Sequence, residues 1–318
     1  MYAALDLGTN NCRLLVARPT SEGFRVVDAF SRIVRLGEGL TQTGRLSEAA
    51  ILRTLEALRI CRDKMQTRGV TRARLIATEA CRSAENGREF LERVRERVGL
   101  ELEIVDRRTE AYLAAAGCGD LADSEAEGAV LFDIGGGSSE IVWMGRARRI
   151  EAWESLRLGV VSLAETFGGE HVTPEVFVAM VRHVDTALAP FAESVAELRR
   201  CARFHLLGTS GTVTTIAGVH LNLARYDRRA IDGLWLTKDE VDAAVGRLRC
   251  MSYADRAANG CIGSERADLV LAGCAILEAI RGRFHAERIR IADRGQREGI
   301  LTQLMRADRV GPHARPRS

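Results

Sequence analysis

Three short stretches set glycines beside hydroxyls at the end of an apolar run. They are Gly8-Thr9-Asn10 in "ALDLGTNN", Gly135-Gly136-Gly137-Ser138-Ser139 in "FDIGGGSSE", and Gly208-Thr209-Ser210-Gly211-Thr212 in "LLGTSGT". Backbone N–H groups gathered in a tight turn bind anions, and glycine lets phosphate oxygens come close. The third stretch runs into a helical pattern, which adds the positive end of a helix dipole. Any one of them reads equally well as a structural turn, whereas three of one kind point to phosphate. Asp6 and Asp133 stand just before the first two turns, 127 residues apart. A carboxylate there repels phosphate unless a divalent cation lies between. Magnesium fits, because it takes few carboxylates, several waters and phosphate oxygens; manganese is the alternative. The competing reading of each aspartate is an Asx-type turn.

The elements around these residues repeat. "YAALDLGTNNCRLLVARP" and "AVLFDIGGGSSEIVWMG" both read as an apolar strand, an aspartate, a polar turn and a second apolar strand. "FRVVDAFSRIVRL", "RARLIATEA" and "LELEIVD" read as strands. Helical patterns follow Ser47, cover 86–98 and about 109–118, run from 174 to 200, and fall in "TKDEVDAAVGRLRC" and "RADLVLAGCAILEAIRGRF". "FHLLGTSGTVTTIAGV" gives strand, turn and helix, and "RIRIADRGQREGILTQLM" the same. The acidic stretch "GDLADSEAEG" suits a link. The expected fold is α/β with two units and a cleft between them for a ligand. Residues 1–120 with 298–310 form the first unit, 121–297 the second, and 311–318 a disordered tail.

Composition excludes several classes. The chain has 318 residues with 46 basic and 43 acidic side chains, a net charge of +3 that gives little support for DNA or RNA binding. No apolar run is long enough for a membrane span, and the N-terminus lacks a leader pattern, so a cytoplasmic protein is expected. The eight cysteines are scattered without a CxxC pair and read as buried thiols. The six histidines also lack metal-ligand spacing.

In order and spacing, "ALDLGTNNCRLLVA", "ATEACRSAENGREF", "TEAYLAAAG", "FDIGGGSSEIV", "LRLGVVSL", "LLGTSGTVTTIAG" and "IADRGQREGIL" resemble the exopolyphosphatase and guanosine pentaphosphate phosphatase (Ppx–GppA) family. That family lies within the sugar kinase, Hsp70 and actin superfamily. The resemblance implies two actin-like (ribonuclease H-like) domains with mixed sheets flanked by helices and a cleft between the domains. It implies magnesium-dependent release of terminal phosphate from inorganic polyphosphate, from guanosine pentaphosphate (pppGpp), or from both. Glu110 matches the catalytic base, and Glu140 a residue that places the water or metal. Asp133, Glu140 and Asp6 are then the expected metal groups. Gly8, Thr9, Asn10, Arg13, Arg82, Gly135, Gly136, Gly137, Ser138, Ser139, Gly208, Ser210, Gly211 and Thr212 are the expected phosphate contacts, with Arg266 and Arg35 behind them. Arg297 and Glu298 are expected to brace the last helix. The resemblance also implies a homodimer and a short, two-domain form.

The sequence departs from the family in two places. Arg107-Arg108-Thr109 replaces acidic neighbours before Glu110, which would lower its pKa or add phosphate contacts. Asn11 and Cys12 replace a serine and an aromatic residue. Three other functions compete: a kinase of the same fold, a nucleotide-gated assembly protein, and a sensor that binds polyphosphate or the alarmone without hydrolysis.

Overall fold

The computed structural model describes residues 1–200 and 202–310. The tail expected at 311–318 lies outside the described residues. The chain divides into two compact units: Met1–Gly117 together with the chain from Gln296 on, and Cys118–Gly295.

Unit 1 carries five strands, β1 (Tyr2–Leu7), β2 (Asn11–Thr20), β3 (Gly23–Ile33), β4 (Arg72–Ala77) and β5 (Glu103–Ile104), in the order β3-β2-β1-β4-β5. The first three form an antiparallel meander, and β4 and β5 add in parallel. Alternation along β1 sends Ala3, Leu5 and Leu7 into one core, with helices Glu48–Thr67 and Gly87–Val98. It sends Ala4 into another, with Leu113, Ile300 and Leu301 of helices Arg107–Cys118 and Gln296–Val310. Asp6, two residues from Ala4, therefore shares its face. Ser47 caps helix Glu48–Thr67 by accepting from the Ala50 N–H (3.2 Å), and Gly69 follows it at φ 60°.

Unit 2 carries β6 (Gly128–Ile134), β7 (Ser139–Met144), β8 (Ile150–Leu156), β9 (Phe204–Thr209), β10 (Trp235–Thr237) and β11 (Arg288–Ala292), in the order β10-β11-β9-β6-β7-β8. The path repeats that of unit 1: an antiparallel meander, β6-β7-β8, then parallel β9 and β11. Short β10 closes the edge antiparallel to β11. Val130, Phe132 and Ile134 pack into the core built with helices Pro174–Ser194, Gly211–His220, Lys238–Cys250 and Val270–Phe284. Asp133 projects from the opposite face of β6.

The expected α/β class, with two mixed sheets flanked by helices, is what the structure has. Strands β8 and β10 were not read from the sequence. The described cysteines are all free; Cys250 is exposed and the others are buried. No helix among the described residues is long and apolar enough to cross a membrane.

Candidate active site

The β6–β7 turn is fixed from below. Gly135 N–H donates to the Ser138 carbonyl (2.9 Å), closing the hairpin. Val160 N–H and Val161 N–H, opening helix Val160–Phe167, donate to the carbonyls of Gly135 (3.0 Å) and Gly136 (2.8 Å). The described peptides are all trans, so the C=O and N–H of one peptide point opposite ways. The N–H groups of Gly136 and Gly137 therefore turn away from that helix side by side, as an anion cradle requires. Gly159 makes this possible, since a Cβ there would stand 2.3 Å from the Gly136 oxygen.

The β1–β2 turn is built in the same way. Gly8 N–H donates to the Asn11 carbonyl (2.9 Å). Gly37 N–H holds the Thr9 carbonyl (2.9 Å), and Val34 N–H holds that of Asn10 (2.9 Å). The N–H groups of Asn10 and Asn11 are thereby turned outward. Arg35, expected as a phosphate contact, also gives its backbone N–H to the Asn10 carbonyl (3.1 Å) and sits at φ 45°. Asn10 is buried, and its side-chain oxygen has no hydrogen-bond partner. The supporting residues were missed in the sequence. The signal was a repeat, Arg35-Leu36-Gly37 and Arg157-Leu158-Gly159, lying after the third strand of each unit. In both turns the first glycine's N–H, expected to meet phosphate, closes the hairpin instead.

One step before each turn the two units differ. Asp133 stands directly opposite Glu140 across β6 and β7, whereas Asp6 stands opposite Arg13 across β1 and β2. Glu140 is buried, and its Oε1 accepts from the hydroxyls of Ser138 (2.8 Å) and Ser155 (2.9 Å). Ser155 sits on β8 and could not be paired with Glu140 before that strand was known. Ser139 gives its hydroxyl to the Leu158 carbonyl (2.7 Å). Burial pushes the Asp6 carboxyl above its ordinary value; Arg13 and Arg297 oppose this, and Glu298 adds to it.

The third turn lies between β9 and helix Gly211–His220. Gly208 is required for packing, because a Cβ there would meet the Phe132 ring at 2.7 Å. Thr212 packs against Gly273. Ser210 has φ 94°, a conformation that side chains rarely take, and its buried hydroxyl has no hydrogen-bond partner. The Arg266 guanidinium lies beside Gly211, 3.4 Å from where a Cβ would stand. The first N–H groups of a helix have no partner within it, so this end presents donors and a cation together.

Glu110 lies in the first turn of helix Arg107–Cys118 and is only 2% exposed. Arg82, in helix Glu79–Ser83, donates through Nη1 to Glu110 Oε1 (2.5 Å) and to the Val105 carbonyl (2.5 Å). Its Nε (3.2 Å) and Nη2 both reach Glu79 Oε2. Glu79 also accepts from Ser83 (2.6 Å) and from Arg107 at both oxygens (2.9 and 3.1 Å). Burial alone would raise the Glu79 carboxyl; the hydrogen bonds from Ser83, Arg82 and Arg107 outweigh it and hold the group below its usual range. Burial likewise opposes the Arg82 charge, and Glu110 and Glu79 overcome it. The unusual run before Glu110 is thus accounted for. Asp106 accepts from the Thr109 N–H (2.7 Å), Arg107 pairs with Glu79, and Arg108 lies over the Tyr112 ring at 5.2 Å. Glu79 went unnoticed in the sequence, although its spacing to Arg82 was a signal.

The chain is similar to known proteins over nearly its whole length. A model of the Ppx/GppA phosphatase family matches residues 15–308. A putative exopolyphosphatase of Haemophilus influenzae is 28% identical over 95% of this chain and 90% of that protein. A guanosine-5'-triphosphate,3'-diphosphate pyrophosphatase of Aeromonas salmonicida is 29% identical over 96% of this chain, which spans 59% of that protein's length. Among solved structures, the Aquifex aeolicus Ppx/GppA family member superposes with a TM-score of 0.78 at 27% identity, covering 98% of this chain and 99% of that one. An exopolyphosphatase from Cytophaga hutchinsonii shares the fold with a TM-score of 0.89 at 23% identity, covering 96% and 98%.

Proposed function

The chain belongs to the Ppx/GppA phosphatase family, and we propose that it hydrolyses the terminal phosphoanhydride of inorganic polyphosphate, of pppGpp, or of both. The observation that supports this best is the β6–β7 turn: outward N–H groups at Gly136 and Gly137, with paired carboxylates one step below. In this reading the turn binds the terminal phosphate, and Arg13 and Arg266 meet its charge and that of the following phosphates. Glu110 takes the proton of a water whose oxygen bonds to the terminal phosphorus, while the bond to the bridging oxygen breaks and the shortened chain leaves.

A magnesium ion fits the donor set. It takes one or two carboxylates and completes its shell with water and phosphate oxygens. Asp133 and Glu140 supply such a pair, and the two serine hydroxyls orient Glu140. Asp6, set against Arg13, suits a cation less well. The metal, when bound, would neutralise charge on the reacting phosphate. The reading extends to a cytoplasmic homodimer.

Phosphate release should be measured with magnesium on long-chain polyphosphate and on pppGpp separately, beside Glu110→Ala. Release that disappears in the variant supports a hydrolase and identifies the substrate. No release from either substrate by folded protein overturns the reading in favour of a kinase or a sensor.

A further inference from the structure

We propose that Glu79 is a positioning residue for this hydrolysis: together with Arg107 it fixes how much of Arg82 is given to Glu110. The inference rests on the reading of Glu110 as the base. A guanidinium has five N–H donors in a rigid fork and ordinarily grips a carboxylate with two of them. Here the Nε and Nη2 edge is turned to Glu79, and one Nη1 N–H goes to the Val105 carbonyl. Of the Arg82 fork, only Nη1 reaches Glu110. A base gripped by the whole fork would hold its negative charge too well to take a proton. One with no cation beside it would have its charged form disfavoured by burial. The divided arginine lies between these extremes.

Arg107 sets the division. It binds both oxygens of Glu79, so it partly neutralises the group that competes for Arg82. The other charged groups on elements packed against helix Arg107–Cys118 include Asp6 and Arg13 on β1 and β2, Arg72 and Arg74 on β4, with Glu103 of β5 paired to Arg74, and Arg297 and Glu298 at the start of helix Gln296–Val310. Asp106 and Arg108 lie on the helix end itself. The variants below leave all of these unchanged.

Two substitutions should act in opposite directions. Glu79→Gln keeps the shape, removes a negative charge near Glu110 and replaces the charged competitor for Arg82 with a weaker, neutral acceptor. Both effects favour the Glu110 carboxylate, so the acid limb of kcat/KM should move to lower pH by about one unit. Arg107→Gln strengthens the claim of Glu79 on Arg82, so the acid limb should move to higher pH. Glu79→Asp, which keeps the charge, should bring the limb back towards wild type. A role in folding alone would lower the melting temperature without moving the limb. The same shifts should appear in carbon-13 NMR titration of the glutamate carboxyls, with Glu110 assigned by Glu110→Gln.

Opposite shifts support the proposal; limbs and titrations that overlay wild type overturn it. If Glu79→Gln does not fold, the more exposed Arg107→Gln decides: an upward shift supports the idea and an unmoved limb sinks it. If wild type releases no phosphate from either substrate, the functional reading fails, and this inference fails with it. The NMR titration then reports only whether the electrostatic coupling exists.

Discussion

Asp133 and Glu140 face each other across β6 and β7 at the step where β1 and β2 set Asp6 against Arg13. One repeated hairpin thus carries two acids in one unit and an acid–base pair in the other. Two carboxylates side by side repel unless a cation joins them, whereas Asp6 has its counter-charge within the sheet. This difference, rather than the shared turn, distinguishes the metal-binding candidate.

The serine support of Glu140 gives the first prediction. Ser155→Ala removes one of the two hydroxyls on Glu140 Oε1. Loss of such outer support typically weakens a metal site roughly tenfold or more. The magnesium concentration for half-maximal phosphate release should rise by that factor, with the rate at saturating magnesium little changed. Calorimetric titration with magnesium alone checks it; unchanged affinity would separate Glu140 from the metal.

Removing the proposed base while keeping its shape should be more severe. Glu110→Gln is expected to lower kcat by a factor on the order of 10²–10⁴, with KM nearly constant. Single-turnover phosphate release measures this. A loss of less than fivefold would assign the proton transfer to another group.

The glycines beneath the two turns should differ in tolerance. A Cβ at Gly159 meets backbone, the Gly136 oxygen at 2.3 Å and its carbon at 2.4 Å, while at Gly37 it meets the methyl group of Thr9. A methyl group can rotate away and a turn peptide cannot. Gly159→Ala should therefore cost about 1–3 kcal/mol of stability and raise KM, with Gly37→Ala the milder of the two. Denaturant unfolding and steady-state kinetics on both variants test the order.

Ser210 holds a backbone conformation that costs on the order of 1–3 kcal/mol for a residue with a side chain. Ser210→Gly should relieve it and raise the melting temperature. If the buried hydroxyl meets phosphate, the same variant should bind substrate less well. A Ser210→Gly protein no more stable than wild type would show that the strain is absent.

Asp28 on β3 provides a pH test away from the site. It accepts from Lys64 (2.8 Å) and Arg68 (2.9 Å), and these bonds, Lys64 foremost, hold its carboxyl at about 2 against an ordinary 3.8. A depressed folded-state value means that the stabilisation is complete well above 3.8 and fades as pH falls towards 2. Asp28→Asn should be less stable than wild type at pH 7, and the gap should narrow below about pH 4. Urea unfolding across that range reads it directly; a gap independent of pH would exclude the linkage.

Much of this was legible in the chain. The strand–aspartate–turn–strand pattern gave both hairpins, because alternation and turn chemistry are properties of neighbouring residues. The order of motifs gave the family and the α/β class. Not legible was β8, whose residues Ile150–Leu156 are only partly buried over most of their length and so lack a strong apolar signature. With β8 hidden, the Ser155 hydroxyl on Glu140 was hidden too. The basic run before Glu110 suggested a lowered pKa or phosphate contacts; that its first arginine binds Glu79 was not legible, because Glu79 lies 28 residues away on another element.

The sequence by itself determined which residue types meet at each turn, since a few adjacent residues set local geometry. Only the tertiary structure decided how they are used. The turn carbonyls are held by Gly37 and Val161, and Arg82 is divided between Glu79 and Glu110. Those partners lie 25 to 28 residues apart (Thr9 to Gly37, Gly136 to Val161, Arg82 to Glu110). Their meeting depends on sheet register and helix packing, which no short window of sequence contains.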